Sequence, residues 1–398
     1  MKNILILTSG HCKKASANGM CSLALAEELK KHNVGVYVVS CDKELSADDT
    51  DNTVVSVLRQ PKKVVQPTRN LFLKLYRRIR NILFHTWTPE YETQTVERLV
   101  DAGNRICSNV RIDGIICMYF PLETIIAGKQ LKERYPQISL MVYELDSVKD
   151  GISGSSKRNG HFLFSWRNFL SRLYRKADCV MVLKCHEHSW LQEFPQHKHR
   201  LQIVDLPLIT PPNLPLVERQ DNQLQLLYAG ELSEDYRSPA PLLEAFRKLD
   251  IPAHLHFFSR GCENALERAM LSDDRIICHG YVEKAVLDRA VAQADILLSI
   301  GNQVSNSLPS KGITYMTYGK PIIHFSLQKN DICETYFRKY PLALIIEQGT
   351  NADEAAKMIE AFVQDCSKRT VPFEQLQKAF PMNMPSYSAQ VILEGLQR

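Results

Sequence analysis

Apolar positions along this chain fall into short unbroken runs separated by longer stretches with helical spacing. The runs Ile4–Leu7, Val34–Ser40, Asp113–Met118, Ser139–Tyr143 and Cys179–Leu183 predict strands covered on both faces. Between them the spacing predicts helices over Gly19–Lys31, Thr93–Cys107, Thr124–Arg134 and Phe162–Tyr174, and another from about His186. Residues 71–83 also have a one-sided stripe, with Leu71, Phe72, Leu75, Ile79, Ile82 and Leu83 on one helical face. The same alternation resumes later. Leu224–Gly230, His254–Phe258, Ile276–His279, Asp295–Ser299 and Pro321–Phe325 read as strands, with a helix from about Pro239 and helical chain after Ala352. Strand–helix–strand repetition predicts parallel sheets joined by right-handed crossovers, an α/β chain.

Pro207, Pro211, Pro212 and Pro215 interrupt that pattern too densely for an element interior. They divide the chain into residues 1–206, a linker 207–222 and a following part, read as a second domain 223–376 and a last segment 377–398. At 398 residues the chain is long enough for two cores. Its 44% hydrophobic and 23% charged residues are ordinary for globular protein. The apolar run in Met1–Thr8 is too short for a signal peptide, and no stretch approaches the ~18 residues of a membrane span. Eleven cysteines lie scattered without a Cys-x-x-Cys pair, which fits reduced thiols in a cytoplasmic protein. Twelve histidines have no metal-ligand spacing; His186 and His188, like His197 and His199, read as solvated, and no metal or cofactor is expected.

The net charge of +5 is modest, and no nucleic-acid partner is expected, but the charge is unevenly spread. Arg59–His85 holds eight Lys or Arg and no acid, and Gly151–Ala177 holds six, again with no acid. Both stretches also have apolar residues at helical spacing. Each is either a solvated basic face or a surface for an anionic membrane.

Candidate chemistry concentrates in Leu308–Ile323. A strand and a polar loop lead to Pro309, which suits a first helical turn. Ser310 and Lys311 then stand where unpaired N–H groups and the positive end of the helix favour an anion. Gly319 suits the helix end, and Pro321 opens the next strand. By spacing alone Lys311 could equally be a solvated lysine on an ordinary crossover. In the first domain Gly19 lies at a helix start but forms no Gly-x-Gly-x-x-Gly fingerprint, so a dinucleotide site is not expected. Strand ends there offer Glu144 and Asp146, with His11 as an alternative, for binding or deprotonating a hydroxyl.

The string Pro309-Ser310-Lys311, followed by Tyr315 and Gly319-Lys320-Pro321, resembles the corresponding segment of GT-B glycosyltransferases, especially family 4-like bacterial enzymes of surface polysaccharide synthesis. Gly230, Arg237, Pro239, Leu242, Leu243 and Ala245 resemble a second segment of those enzymes. The resemblance is strong over residues 224–326 and looser before them. It implies two Rossmann-like domains facing across a cleft, with the last helix returning to the first domain. It further implies a nucleotide-sugar donor whose diphosphate meets Gly230, Arg237, Ser310 and Lys311 and whose base meets Tyr281 and Val282. Gly19 and His11 would lie on the first domain's cleft loop, beside a saccharide or lipid-linked saccharide acceptor.

The sequence departs from that family where two glutamates often stand seven residues apart, since Asn306 and Thr314 occupy those positions. Glu231 replaces an arginine often found after the first glycine. A catalytically weak partner of another transferase, or a nucleotide-sugar 2-epimerase of the same fold, therefore remain alternatives to sugar transfer.

Overall fold

The computed structural model describes residues 1–11, 17–41, 53–57, 91–119, 121–146, 160–217, 223–303, 308–366 and 369–397. The basic stretch Arg59–His85, the helical pattern over 71–83, residues 151–159 and Asn306 lie outside them. The chain divides into two compact units, Met1–Pro207 with Pro385–Arg398, and Leu208–Met384.

In unit 1 the strands are β1 (Asn3–Thr8), β2 (Gly35–Ser40), β3 (Val54–Ser56), β4 (Gly114–Tyr119), β5 (Ser139–Glu144), β6 (Cys179–Leu183) and β7 (Leu201–Val204). They form one parallel sheet in the order β3-β2-β1-β4-β5-β6-β7. Helices α1 (Ala17–Lys31), α2 (Thr93–Asn109), α3 (Leu122–Arg134), α4 (Gly160–Tyr174) and α5 (Glu187–Glu193) connect them. Central strands such as β4 and β6 are buried at every position, which is why they read as unbroken apolar runs. Leu5, Leu7, Ile115, Leu140, Val142 and Val180 share a core with Leu99, Ile125 and Leu131 from α2 and α3.

Unit 2 repeats the design. Strands β8 (Leu224–Glu231), β9 (Ala253–Arg260), β10 (Ile276–Cys278), β11 (Ile296–Ile300), β12 (Ile322–Phe325) and β13 (Ala343–Ile346) pair in parallel in the order β10-β9-β8-β11-β12-β13. Helices α6 (Ala240–Arg247), α7 (Glu263–Ser272), α8 (Lys284–Gln293), α9 (Ser310–Thr317), α10 (Glu334–Phe337), α11 (Ala352–Cys366) and α12 (Phe373–Ala379) accompany them. Gly319 ends the α9 segment at φ +67°, where a Cβ would stand 2.5 Å from the Val371 carbonyl oxygen. Only glycine fits both constraints. Helix α13 (Pro385–Gly395) belongs to unit 1, where its Ser388 hydroxyl lies 2.9 Å from that of Tyr143.

Two histidines expected in solvent are buried. His186 is 4% exposed and His197 5%. The His197 ring packs edge-on against Tyr174, with Nε2 at 2.9 Å from the Ser171 hydroxyl. Their partners in the expected pairs, His188 and His199, are exposed. The sequence concealed this because both buried rings sit in short 3-10 turns, too short to show a periodic apolar stripe.

Candidate active site

In open parallel sheets ligands collect beyond the carboxyl ends of the strands, at the point where strand order reverses. In unit 2 that point lies between β8 and β11. Beyond β8 the chain makes a tight turn, with the Ser233 N–H donating to Arg237 O at 3.1 Å and the Arg237 N–H donating to Ser233 O at 2.8 Å. Gln303 beyond β11 donates its N–H to Tyr236 O at 2.8 Å, so the two loops are tied together. Arg237 is half-buried and donates Nε–H to Asn302 Oδ1 at 3.0 Å. Asn302 is itself only 2% exposed, so it holds one edge of the guanidinium in a fixed plane. Gly230 precedes this turn at the end of β8.

The other half of the reversal point supplies α9. Pro309 is its N-cap, and Ser310 and Lys311 form its first turn, where N–H groups lack intrahelical acceptors. Lys311 is half-buried, and its ammonium is pushed below the usual lysine value. Burial is the main cause, Lys284 adds repulsion, and Asp288 opposes both. A cation held in that way gains from a bound anion. Thr314 turns its hydroxyl back onto the Ser310 carbonyl, at 3.0 Å. Tyr315, buried on the same helix, accepts from the Ala229 N–H at 2.8 Å and donates to Ala229 O at 3.1 Å. That double contact fixes α9 to the last residues of β8. Tyr281, after β10, is 55% exposed with the Arg260 guanidinium 3.7 Å over its ring, and Val282 beside it is half-buried.

In unit 1 the strand order reverses between β1 and β4. His11 follows β1, is 5% exposed, and places Nδ1 at 2.8 Å from the Ser22 hydroxyl on α1. Gly19 is buried on the same helix. Cys21, between them, has its thiol pushed well up by burial first, and then by the charges of Asp146 and Asp205. The side chains of His11, Asp146 and the start of α1 are thus gathered at one end of the sheet. Asp146 keeps partial exposure. Glu144 does not: it is 2% exposed and takes hydrogen bonds from the Tyr174 hydroxyl and, at 3.4 Å, from Trp190 Nε1. Burial pushes its carboxyl up to about 8, partly opposed by the Trp190 bond.

Sequence reasoning did not single out Asn302, Arg260 or the anchoring role of Tyr315. Asn302 had a local signal, as a polar residue directly after Gly301 at a strand end. Arg260 had none, because its partner Tyr281 is set by the pairing of β9 with β10.

Residues 223–365 match the family described as "Glycosyl transferases group 1". No curated protein matches the sequence. Solved structures resemble the chain along its whole length at low identity. The lipopolysaccharide outer core galactosyltransferase WaaB, in its apo form, is 10% identical at TM-score 0.58, covering 100% of this chain and 99% of that one. Anabaena Alr3699/HepE in complex with UDP and glucose is 12% identical at TM-score 0.58, covering 100% and 98%. TarM is 10% identical at TM-score 0.59, covering 99% and 97%. At such identities the likeness establishes the fold alone, while the family match speaks for unit 2. Residues 223–365 within unit 2 thus carry a match to the group 1 glycosyl transferases, in a chain whose two parallel α/β units have the GT-B fold.

Proposed function

We propose that the chain transfers a sugar from a nucleotide-sugar donor, bound by unit 2, to a saccharide acceptor bound by unit 1. The observation that carries this reading is the placement of Arg237 in the turn beyond β8 and of Lys311 in the first turn of α9, which follows β11, at the two strands where the order of unit 2 reverses. The donor diphosphate would take charge-assisted hydrogen bonds from Arg237, Lys311 and the N–H groups at Ser310, with Gly230 leaving room beside them. Its base would lie against Tyr281 and Val282. Asn306 is assigned to a sugar hydroxyl, since an amide serves as both donor and acceptor.

In the reaction the acceptor oxygen bonds to the anomeric carbon as the bond from that carbon to the diphosphate breaks. The bonding pair leaves with the diphosphate, and the acceptor proton passes to Asp146. Negative charge grows on the departing phosphate in an oxocarbenium-like transition state, so fixed cations act most strongly there. Glu144 stays in the core with Tyr174 and Trp190, and His11 and Gly19 line the acceptor side.

The acceptor we assign is a lipid-linked saccharide of surface polysaccharide synthesis, reached from the cytoplasmic membrane face by a peripherally bound protein. Two acid-free basic stretches in the acceptor-side half support that reading. No helix among the described residues is long and apolar enough to cross a membrane.

Thermal shift against UDP- and GDP-sugars, followed by product analysis with the stabilising donor, tests the proposal. One base class should raise the midpoint, and Arg237→Ala with Lys311→Ala should remove the shift. No stabilisation by any nucleotide sugar would overturn it. A donor-binding protein without transfer is the second reading. It is favoured by Thr314, whose hydroxyl is engaged within its own helix. Donor binding without hydrolysis or transfer would decide for it.

A further inference from the structure

We propose that His324, Asp331 and Cys333 form a binding site for a divalent cation of the zinc class within unit 2. His324 lies on β12, and Asp331 and Cys333 follow in the loop that leads to α10. One ligand atom from each, an imidazole nitrogen, a carboxylate oxygen and the thiol sulfur, lie within 4.8 Å of one another. The three residues are 0%, 3% and 2% exposed.

The spacing of this buried pair also accommodates a shared ion. His324 Nε2 and Asp331 Oδ2 are 3.2 Å apart. A well-formed charged hydrogen bond runs at about 2.7–2.9 Å. Two ligands at ~2.0–2.1 Å on one tetrahedral zinc stand roughly 3.3 Å apart. Neighbouring groups orient the ligands as outer partners do around metal sites. His324 Nδ1 lies 3.0 Å from the Ser299 hydroxyl on β11, which fixes the ring and leaves Nε2 to face Asp331. Asp331 Oδ1 accepts the Cys333 N–H at 2.9 Å, which leaves Oδ2 directed inward. At Gly301 a Cβ would stand 1.7 Å from Asp331 Oδ2, so the carboxylate occupies space that only glycine leaves open.

Charge supports the same assignment. A thiolate and a carboxylate supply two negative charges and neutral imidazole none, so a divalent ion would make the buried site neutral. Binding transfers the thiol proton to solvent and changes no oxidation state. Mixed N, O and S donors favour zinc over magnesium or calcium. The ion would clasp β12 to the loop that follows it, beside Gly301 at the end of β11.

Cobalt(II) replaces zinc in such sites and absorbs in the near-ultraviolet when a thiolate binds it. Reduced protein freed of metal by chelation should take up one cobalt with such a band, zinc should displace it, and Cys333→Ser should abolish it. Zinc should also raise the thermal midpoint of the wild-type protein and leave Asp331→Asn unmoved. X-ray absorption on the zinc-loaded wild type guards against misfolded variants, because the assigned shell contains one sulfur with nitrogen and oxygen. Less than stoichiometric uptake, a band that persists in Cys333→Ser, or a shell with several sulfurs or none would overturn the site.

Discussion

At the scale of single residues, environment separates groups of like chemistry. Lys311 and Arg237 are held half-buried, one by a desolvating helix start and one by Asn302. Lys311→Ala and Arg237→Ala should each lower the transfer rate more than tenfold without unfolding the protein, as steady-state kinetics with circular dichroism would check. Unchanged rate and donor affinity in the double variant would remove both from the site. Asp146→Asn should reduce turnover more than donor binding, measured by calorimetry beside kinetics; equal losses in both would place it with the donor or the scaffold. Glu144 behaves differently because its carboxyl is raised by burial to about 8. Below about 4.5, the ordinary value, folded and unfolded chains both hold its proton. Between there and about 8 the unfolded chain ionises while unit 1 keeps the acid neutral, so its contribution to stability falls as pH rises. Glu144→Gln keeps an acceptor for Tyr174 and Trp190 and should flatten that fall by on the order of 3 kcal/mol at pH 8. Denaturant titrations from pH 5 to pH 8 would show it, and parallel profiles would argue against it.

At the scale of elements, α9 shows what could be read ahead and what could not. Pro309, the apolar positions and Gly319 marked a helix between two strands, and it runs from Ser310 to Thr317. These are local signals, written into propensity and backbone geometry. The anchor of that helix was not legible, because Tyr315 meets Ala229 across a sequence separation of 86 residues. The environment of Lys311 likewise depends on Lys284 and Asp288, which α8 brings near. Burial of His186 and His197 was misread for a related reason, since short 3-10 turns leave no periodic pattern. Gly319→Ala should destabilise unit 2 by about 1–3 kcal/mol, through a left-handed alanine and its contact with Val371 O. A thermal midpoint equal to wild type would mean that the Val371 segment yields freely.

For the molecule as a whole, alternation of strands and helices was enough to read two parallel α/β units. The points where strand order reverses were not, because crossovers between non-adjacent strands leave no trace in spacing. Composition and charge added a different kind of information. They showed two basic stretches but not where those residues stand, and Arg59–His85 lies outside the described residues. Sedimentation with anionic vesicles gives a direct measurement. Binding should be strong at low salt, fall as salt rises, and weaken when Arg77, Arg78 and Arg80 become glutamate. Absence of binding at low salt would favour a soluble acceptor.

The return of α13 to unit 1 sets an order of events during synthesis. Unit 2 is one uninterrupted stretch, Leu208–Met384, and its two ends meet where the Ile209 N–H donates to Asn383 O at 3.0 Å. It can therefore close as soon as its own residues have left the ribosome. Unit 1 is made first yet lacks Ser388, the partner of buried Tyr143, until α13 emerges. At ~5–20 residues per second, unit 1 waits roughly 10–35 s with that seam open. A released chain truncated before Pro385 should thus expose a protease-sensitive first unit beside a resistant second one. The half translated first is the half finished last.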